Sequence, residues 1–290
     1  MKNTILRPFF LTLLLSVSGL LLSQVPQGAI NGLFLVSANQ QVLFSKGNLQ
    51  YIGSAATPYW KFAEHQWEYY GNNGQGSTDQ NVNRDIFCWG TSGYNNGAVC
   101  YQPWSTSQHD TDYWAYNDYQ ATLNSQSGQA DWAYNAILNG GNQENSGWWT
   151  LTKDEWVYVF NTRTTASGIR YAKAKVNGVN GVILLPDDWS TSYYSLNNTN
   201  QGNASFDSNI ISASQWSTLE QHDAVFLPAD GNRYGTSVEL VGYTGQYWSA
   251  SYNKELNDVC LMFFSGSYLD PQGYGNPLYG RSVRLVRSAQ

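Results

Sequence analysis

Short apolar runs separated by polar turns fill the last quarter of the chain, and they constrain the fold more than any other sequence feature. These runs have the length and residue types of β-strands, and they comprise residues 224–227, 247–251, 259–264 and 282–286. Their spacing is typical of an antiparallel meander. Similar runs at 33–36, 41–44 and 182–185 predict three more strands upstream. The chain is therefore expected to build a small antiparallel sheet.

Helix signals are fewer than strand signals. Thr152 and Glu155 have the spacing of a capping box, in which each side chain bonds the backbone N–H of the other residue. Trp156 begins the apolar face of the helix that follows. A second helix is predicted over 214–221 and a shorter one over 131–138. Together with the strands, these signals predict an α+β fold in which two helices pack on the sheet and much of the chain is loop.

The N-terminus has the pattern of a secretory signal. Lys2 and Arg7 precede an apolar run at 9–22, which is too short to span a bilayer comfortably. We predict a signal peptide of residues 1–23 and export to the cell surface, the medium or the periplasm. A retained membrane anchor is the alternative. The remainder, 24–290, has no repeat, no linker and no transmembrane segment, so it is predicted to form one domain.

Charge is scarce and aromatic residues are abundant. Charged residues make up 12% of the chain, about half of the usual share, and the net charge is −6. This composition excludes disorder, and an acidic chain with no Lys/Arg cluster excludes nonspecific nucleic-acid binding. Tyrosine, asparagine, serine and glycine are typical of adaptable binding surfaces. We expect Trp156, Trp216 and Trp248 to build the core instead.

Two of the three cysteines flank a loop rich in glycine and asparagine. A bridge between Cys88 and Cys100 would add about 3 kcal/mol of stability by restricting the unfolded chain. Two free thiols are equally compatible with this spacing, so both interpretations stay open. Cys260 lies inside an apolar run and is expected to be a small core residue.

Most catalytic and metal-binding motifs are absent from the sequence. The three histidines have no ligand-type spacing, and there is no nucleophile elbow, P-loop, dinucleotide fingerprint or Cys-x-x-Cys. The residues Asp79, Asn81, Asn83 and Asp85 alternate as in a calcium loop. However, Arg84 stands where such a loop needs glycine, and Gly90 stands where it needs an acid. We therefore predict no cofactor, with calcium as the less supported alternative.

The order of motifs in the second half carries a family resemblance. The motifs are the stretch from Trp149 to Trp156, Phe226-Leu227-Pro228-Ala229, Gly245-Gln246-Tyr247-Trp248-Ser249-Ala250-Ser251 and the terminal segment from Gly280 to Arg287. Together they resemble the Fibrobacter succinogenes major paralogous domain proteins of Bacteroidetes-type bacteria. That family is similar to the formylglycine-generating-enzyme branch of the C-type lectin fold, which includes the variable proteins of diversity-generating retroelements. The resemblance covers 131–290 well and 24–130 loosely.

The resemblance implies a C-type lectin fold and a ligand surface near the C-terminus, within residues 251–279. A protein or glycan ligand at the cell exterior is expected there. The predicted binding residues are aromatic or polar and alternate with apolar framework residues; they are Tyr252, Asn253, Asn257, Asp258, Tyr268, Asp270, Gln272, Tyr274, Asn276 and Tyr279. The neighbouring Arg281, Arg284 and Arg287 are expected to be framework residues held by ion pairs.

Two alternatives belong to other functional classes. An enzyme of the formylglycine-generating type needs a cysteine pair near the C-terminal end, and only Cys260 lies there. Calcium-dependent lectins use a Glu-Pro-Asn or Gln-Pro-Asp triplet, whereas Asp270-Pro271-Gln272 has the reverse order. A sugar could still stack on Trp or Tyr. A non-catalytic binding protein, and in particular a variable protein of a diversity-generating retroelement, is the first prediction, with an oxidoreductase or a carbohydrate-binding lectin as the alternative.

Overall fold

The computed structural model describes residues 25–71, 79–94, 99–109, 112–113, 122–123 and 129–289. The predicted signal peptide, 1–23, lies outside these residues. The strands are β1 (Phe34–Ser37), β2 (Gln40–Phe44), β3 (Leu49–Ile52), β4 (Tyr59–Phe62), β5 (Ile86–Phe87), β6 (Trp148–Thr150), β7 (Tyr171–Val176), β8 (Val179–Leu184), β9 (Ile210–Ile211), β10 (Val225–Pro228), β11 (Asn232–Tyr234), β12 (Ser237–Glu239), β13 (Thr244–Asn253), β14 (Asp258–Ser265), β15 (Leu269–Gly275), β16 (Tyr279–Ser282) and β17 (Leu285–Ser288). Among the described residues, the α-helices are α1 (Lys153–Val157) and α2 (Ala213–Gln221).

These strands form four small sheets in the described part of the chain. One has the order β1-β2-β17-β6 and so joins the N-terminal strands to the last one. A second has the order β10-β8-β7-β9, and β3 pairs with β4 alone. The largest has the order β12-β11-β16-β13-β14-β15, with β5 paired to β16. The predicted α+β class is confirmed at this level.

The predicted meander is correct only for part of the C-terminal region. β13, β14 and β15 are consecutive antiparallel strands, but β10 belongs to another sheet and β16 pairs with β13 in parallel. The predicted strand 282–286 is divided between β16 and β17. The division falls at the buried Arg284, whose guanidinium donates to the carbonyl of Phe226 and to the side-chain oxygens of Asn48 and Gln66. These three acceptors lie outside the largest sheet, so the chain leaves that sheet at Arg284.

Two of the three predicted helices lie where the sequence predicts them. Thr152 and Glu155 form the capping box of α1, which widens after Val157 into a π-helical turn, Tyr158–Thr162. Helix α2 begins with a second capping box, formed by Ser212 and Gln215. The predicted helix 131–138 is wrong in length, because only Trp132–Tyr134 form a 3-10 turn and Asn135 is already extended.

The core lies on both faces of β13 and β14. Trp248 and Leu261 face a first core, whereas Tyr247 and Met262 face a second core that contains Trp156 of α1. This separation follows from the alternation of side chains along a strand. Trp156, Trp216 and Trp248 are all fully buried, as predicted.

The arginines near the C-terminus are framework residues, but the predicted ion pairs are wrong. Within the described residues, no ion pair includes Arg281, Arg284 or Arg287. Arg281 instead donates to Oε1 of Gln246 at 2.9 Å, and its guanidinium carbon lies 4.3 Å from the centre of the Trp248 ring. Aromatic faces and amide oxygens therefore replace carboxylates as partners for these buried cations.

Candidate ligand-binding surface

The predicted binding residues lie on β13, β14 and β15, which we call the meander, and on the segment that leads into β16. The meander forms one edge of the largest sheet. β14 pairs with both neighbours, so Leu261 lies between Trp248 on β13 and Gly273 on β15. Directly paired residues face the same side of a sheet, so these pairings show which predicted residues share a face.

The turn between β13 and β14 is held by its own side chains. Oδ1 of Asn253 accepts from the backbone nitrogens of Glu255 and Leu256, at 2.9 and 3.1 Å. The hydroxyl of Tyr252 donates to Oδ1 of Asn257, whose backbone is left-handed with a φ of 55°. Asn253 and Asn257 therefore shape the turn.

Asp258 opens β14 directly opposite Asn253. Burial raises the pKa of its carboxyl, and the charge of Arg281 acts in the opposite direction. Asp258 is therefore a partly buried carboxyl at the start of β14.

The turn between β14 and β15 is the most exposed aromatic part of the meander. Tyr268 is 53% exposed, its ring centre lies 6.1 Å from that of Phe263, and its hydroxyl donates to Oδ2 of Asp270 at 3.3 Å. The negative charge of Asp270 raises the pKa of Tyr268. Oδ1 of Asp270 also accepts from the backbone nitrogen of Gln272. An aromatic ring, a hydroxyl and a carboxylate thus lie together at the surface.

The two ends of β15 present predicted residues on opposite faces of the sheet. Asp270 is paired with Phe263, on the side of the first core, whereas Tyr274 is paired with Cys260 on the other side. Tyr274 is 43% exposed and lies on the side of Lys153 of α1, whose pKa is raised mainly by its hydrogen bond to Asp154 and to a smaller extent by Tyr274. The structure therefore does not gather the ten predicted residues into one patch.

Asn276 and Tyr279 are occupied by framework contacts. Oδ1 of Asn276 accepts from the backbone nitrogen of Leu278 at 3.0 Å. The Tyr279 ring stacks on Tyr234 with centres 4.7 Å apart, and the Arg281 guanidinium carbon lies 5.6 Å from the Tyr279 ring centre. Both residues therefore hold the entry to β16 in place.

Sequence reasoning missed an exposed tyrosine beside the β14–β15 turn. Tyr243 is 74% exposed and directly precedes Thr244, which is paired with Ser265 at the end of β14. This pairing places Tyr243 at the same end of the meander as Tyr268. The sequence indicates only that Tyr243 belongs to a turn, 240–243, before β13. A turn signal does not show which residues of another strand lie beside it.

A second missed residue lies beneath this turn. Lys173 is buried on β7, and its amine donates to the carbonyl oxygens of Gly202, Ser265 and Tyr268 at 2.5, 2.7 and 3.1 Å. Burial lowers the pKa of this amine to about 8. All three ammonium protons thus have acceptors, and one side chain fixes the backbone of the turn that carries Tyr268.

Two buried acids, Asp85 and Asp230, lie near β16, the strand that pairs with β13 on the side of the meander away from β15. Burial raises the pKa of Asp85 to about 7, although Oδ2 of this residue accepts from the backbone nitrogen of Tyr70. Burial, and then the charge of Asp85, raise the pKa of Asp230 well above its ordinary value. Oδ2 of Asp230 accepts from Ser282 and Asn48, whereas Oδ1 has no partner among the described residues.

The structure separates the alternating acids and amides of the predicted calcium alternative. Asp79 accepts from Asn81, Asn83 accepts from Ser54, and Asp85 is buried. Within the described ranges, no group of three or more His, Cys, Asp or Glu residues is arranged to hold a metal ion.

Of the two interpretations of the cysteines, the structure has the free thiols. Cys88, Cys100 and Cys260 are all unbridged. Cys88 is buried and donates to the carbonyl of Leu278 at 3.0 Å, whereas Cys100 is only half-buried. The Cys88 thiol therefore has a partner on the β16 side of the core in place of Cys100.

Comparison with known proteins adds no relative to this description. No protein-family model, curated protein or solved structure matches the chain. Of the helices in the described part of the chain, none has both the length and the apolar character needed to cross a membrane.

Proposed function

We propose that this chain is an exported binding protein without a catalytic role, which displays a ligand surface at the β14–β15 end of the meander. Its ligand is a protein or a glycan at the cell exterior. The observation that carries the proposal is the combination of exposed Tyr243 and Tyr268 with a backbone fixed from below by Lys173. Large rings on a rigid scaffold give contact area at low entropic cost.

The proposed surface contains only some of the ten residues predicted from the sequence. Tyr268, Asp270 and Gln272 belong to it, and Tyr243 joins them. Phe263 lies half-buried behind Tyr268 and supplies an apolar base. Clusters of exposed aromatic residues rimmed by polar groups are typical of interaction sites.

A C-type lectin fold is the finer proposal for the architecture. It is supported by features of the described residues, namely the short helices α1 and α2, the small and mostly antiparallel sheets and the long connections between them. In that setting, rigid strands carry ligand-contacting residues at their ends and in loops, which agrees with the position of Tyr243 and Tyr268.

The proposal also includes that this chain is a variable protein of a diversity-generating retroelement. A nearby reverse transcriptase gene, with an imperfect template copy of the segment that encodes about 245–286, is the expected genomic feature. A genome without such a copy would leave a binding protein whose surface is fixed.

The environment of Cys260 supports a binding role over the enzyme alternative. Burial raises the pKa of this thiol to about 11. A reactive cysteine needs a lowered pKa, because the thiolate is the nucleophile and metal ligand. Incubation with a sulfatase peptide in air, followed by mass analysis, tests the alternative, and a converted cysteine in the peptide would overturn the binding proposal.

The proposed surface is tested with alanine variants on protein and glycan arrays. Tyr268→Ala and Tyr243→Ala are expected to abolish the signals that the wild-type protein gives. Tyr193→Ala is the matched control, since Tyr193 is 39% exposed and stacks on His222 in a different part of the molecule. Signals that survive both meander substitutions, with unchanged thermal stability, would remove the site assignment.

A further inference from the structure

A cavity away from the meander is lined by aromatic and amide side chains. It has a volume of about 260 Å³, and its lining includes Tyr134, Asn145, Trp148 and Trp149. We call it the tyrosine pocket. Pockets for drug-sized ligands measure about 300–1,000 Å³, so this one has room for a single ring. None of the predicted binding residues lines it.

Aromatic rings form one side of the tyrosine pocket. Tyr134 is half-buried and stacks on Tyr94, with ring centres 5.5 Å apart and nearly parallel planes. Trp149 is also half-buried, and the indole nitrogen of Trp148 already donates to the carbonyl of Gly140. The rings thus offer apolar faces to an occupant, and Trp148 has no indole proton left for it.

Polar atoms without partners adjoin the same pocket. Ser146 lies between the lining residues Asn145 and Gly147, and in the described part of the chain its buried hydroxyl has no partner. The indole nitrogen of Trp132 and Nε of Arg287 are likewise buried and unpartnered among the described residues. The guanidinium carbon of Arg287 lies 5.3 Å from the centre of the Trp148 ring. These donors lie behind the lining, whose own amide side chain is that of Asn145.

Charges of both signs lie near the pocket, so an ion of either sign meets a like charge there. The carboxylate of Asp131 accepts from both the backbone nitrogen and the hydroxyl of Thr150, and Glu144 lies beside Asn145. These carboxylates repel an anion. The guanidinium of Arg287 repels a cation. A neutral ring with one apolar face and several hydroxyl groups satisfies all of these conditions.

We propose that the tyrosine pocket binds one neutral sugar ring, with the apolar face of the ring against Tyr134 and its hydroxyl groups toward the amide of Asn145. This site is separate from the meander surface and does not depend on the function proposed for it. A saccharide stacks well on an aromatic face because its C–H groups present a flat apolar side, while its hydroxyl groups accept and donate at the edge.

The test is a titration of the purified protein with the methyl glycosides of glucose, galactose, mannose and N-acetylglucosamine, followed by tryptophan fluorescence and ligand-observed NMR. Saturable binding of at least one glycoside at millimolar concentration is expected. Tyr134→Ala and Asn145→Gly should each raise its Kd about tenfold. Glycine suits position 145 because its φ is 52°, so the side chain is removed without backbone strain.

Tyr268→Ala serves as the control that separates the two sites, and it should leave glycoside binding unchanged. The circular dichroism spectrum and the melting temperature check that each variant is folded. The proposal is overturned if no glycoside binds saturably, or if both pocket variants bind as tightly as the wild type. Tighter binding of arginine amide than of any glycoside would also overturn it, because the occupant would then be a cation.

Discussion

Two buried ionisable sites flank the meander, and they differ in how fully their hydrogen bonds are satisfied. Lys173 has three carbonyl acceptors for its three protons. Among the described residues, one oxygen of Asp230 has no partner, and the charge of Asp85 acts on this carboxyl as well. A satisfied buried charge can fix the geometry of a surface, whereas two buried acids with raised pKa values make the stability of the folded state depend on pH. The ligand surface lies above the satisfied site.

The largest expected effect comes from the acid pair. The pKa of Asp85 is about 7 in the folded protein, against an ordinary value of 3.8, so between these values the folded state binds more protons than the unfolded state. The contribution of Asp85 to the free energy of unfolding is therefore fully present below pH 3.8 and is lost as the pH rises through 7. The shift corresponds to a loss of about 4 kcal/mol. Urea unfolding at pH 4, 6 and 8 measures it.

Asp85→Asn should remove the part of the slope that Asp85 contributes and make the protein more stable at pH 8, since the amide oxygen can still accept from Tyr70. The part that Asp230 contributes should remain, because burial is the largest cause of its raised pKa. Asp79→Asn, a change of an exposed acid in the same segment, should keep the slope. A wild-type protein that is equally stable at pH 4 and 7 would show that the two acids are compensated, and the contrast with Lys173 would disappear.

The next effect is the loss of the satisfied site itself. Lys173→Met leaves three carbonyls without their donor, and we expect a loss of about 3 kcal/mol. Hydrogen exchange at Ser265 and Tyr268 should accelerate as well. Lys175→Met is the matched control on the same strand, because Lys175 pairs with the exposed Asp207 and its removal should cost less than about 1 kcal/mol. Equal losses in the two variants would show that Lys173 has no special part in fixing the turn.

A smaller effect arises because Lys173 itself titrates. Its pKa is about 8 in the folded protein and 10.5 ordinarily, so above pH 8 the unfolded state binds more protons. The free energy of unfolding should therefore rise, by about 1.5 kcal/mol between pH 8 and 9.5. This slope has the opposite sign to that of the acid pair. Guanidinium chloride unfolding across this range should show the rise in wild type and in Asp85→Asn, and no rise in Lys173→Met.

Features set by neighbouring residues could be predicted from the sequence, whereas features set by distant partners could not. The capping box of Thr152 and Glu155 spans one turn of chain, so its pattern was sufficient. The acceptors of Lys173 lie 29, 92 and 95 residues away, and a lysine on a strand ordinarily points to solvent. Nothing in the local sequence marked it as buried.

The ligand surface itself stays a prediction, and the sequence could indicate only the segment that carries it. The aromatic and polar residues after Ser251 are recognised from their period and residue types, which are local features. The irregularities in pairing within the meander could not be foreseen, and they decide that Asp270 and Tyr274 face opposite sides. A shift of one residue in register exchanges the faces of a strand. For the same reason, Tyr243 was not recognised as a neighbour of the β14–β15 turn.

The smallest effect concerns the β13–β14 turn. Its own side chains hold this turn, so it serves as a comparison for the β14–β15 turn, which Lys173 holds. Asn257 has a left-handed backbone, so Asn257→Ala should be less stable than Asn257→Gly by about 1 kcal/mol. Both variants lose the acceptor of the Tyr252 hydroxyl, so their difference isolates backbone strain, which chemical denaturation measures. Hydrogen exchange at Ser265 and Tyr268 should be the same in both. Faster exchange there in Asn257→Ala would mean that the two turns respond together, and Lys173 would then not be sufficient to hold the ligand surface in place.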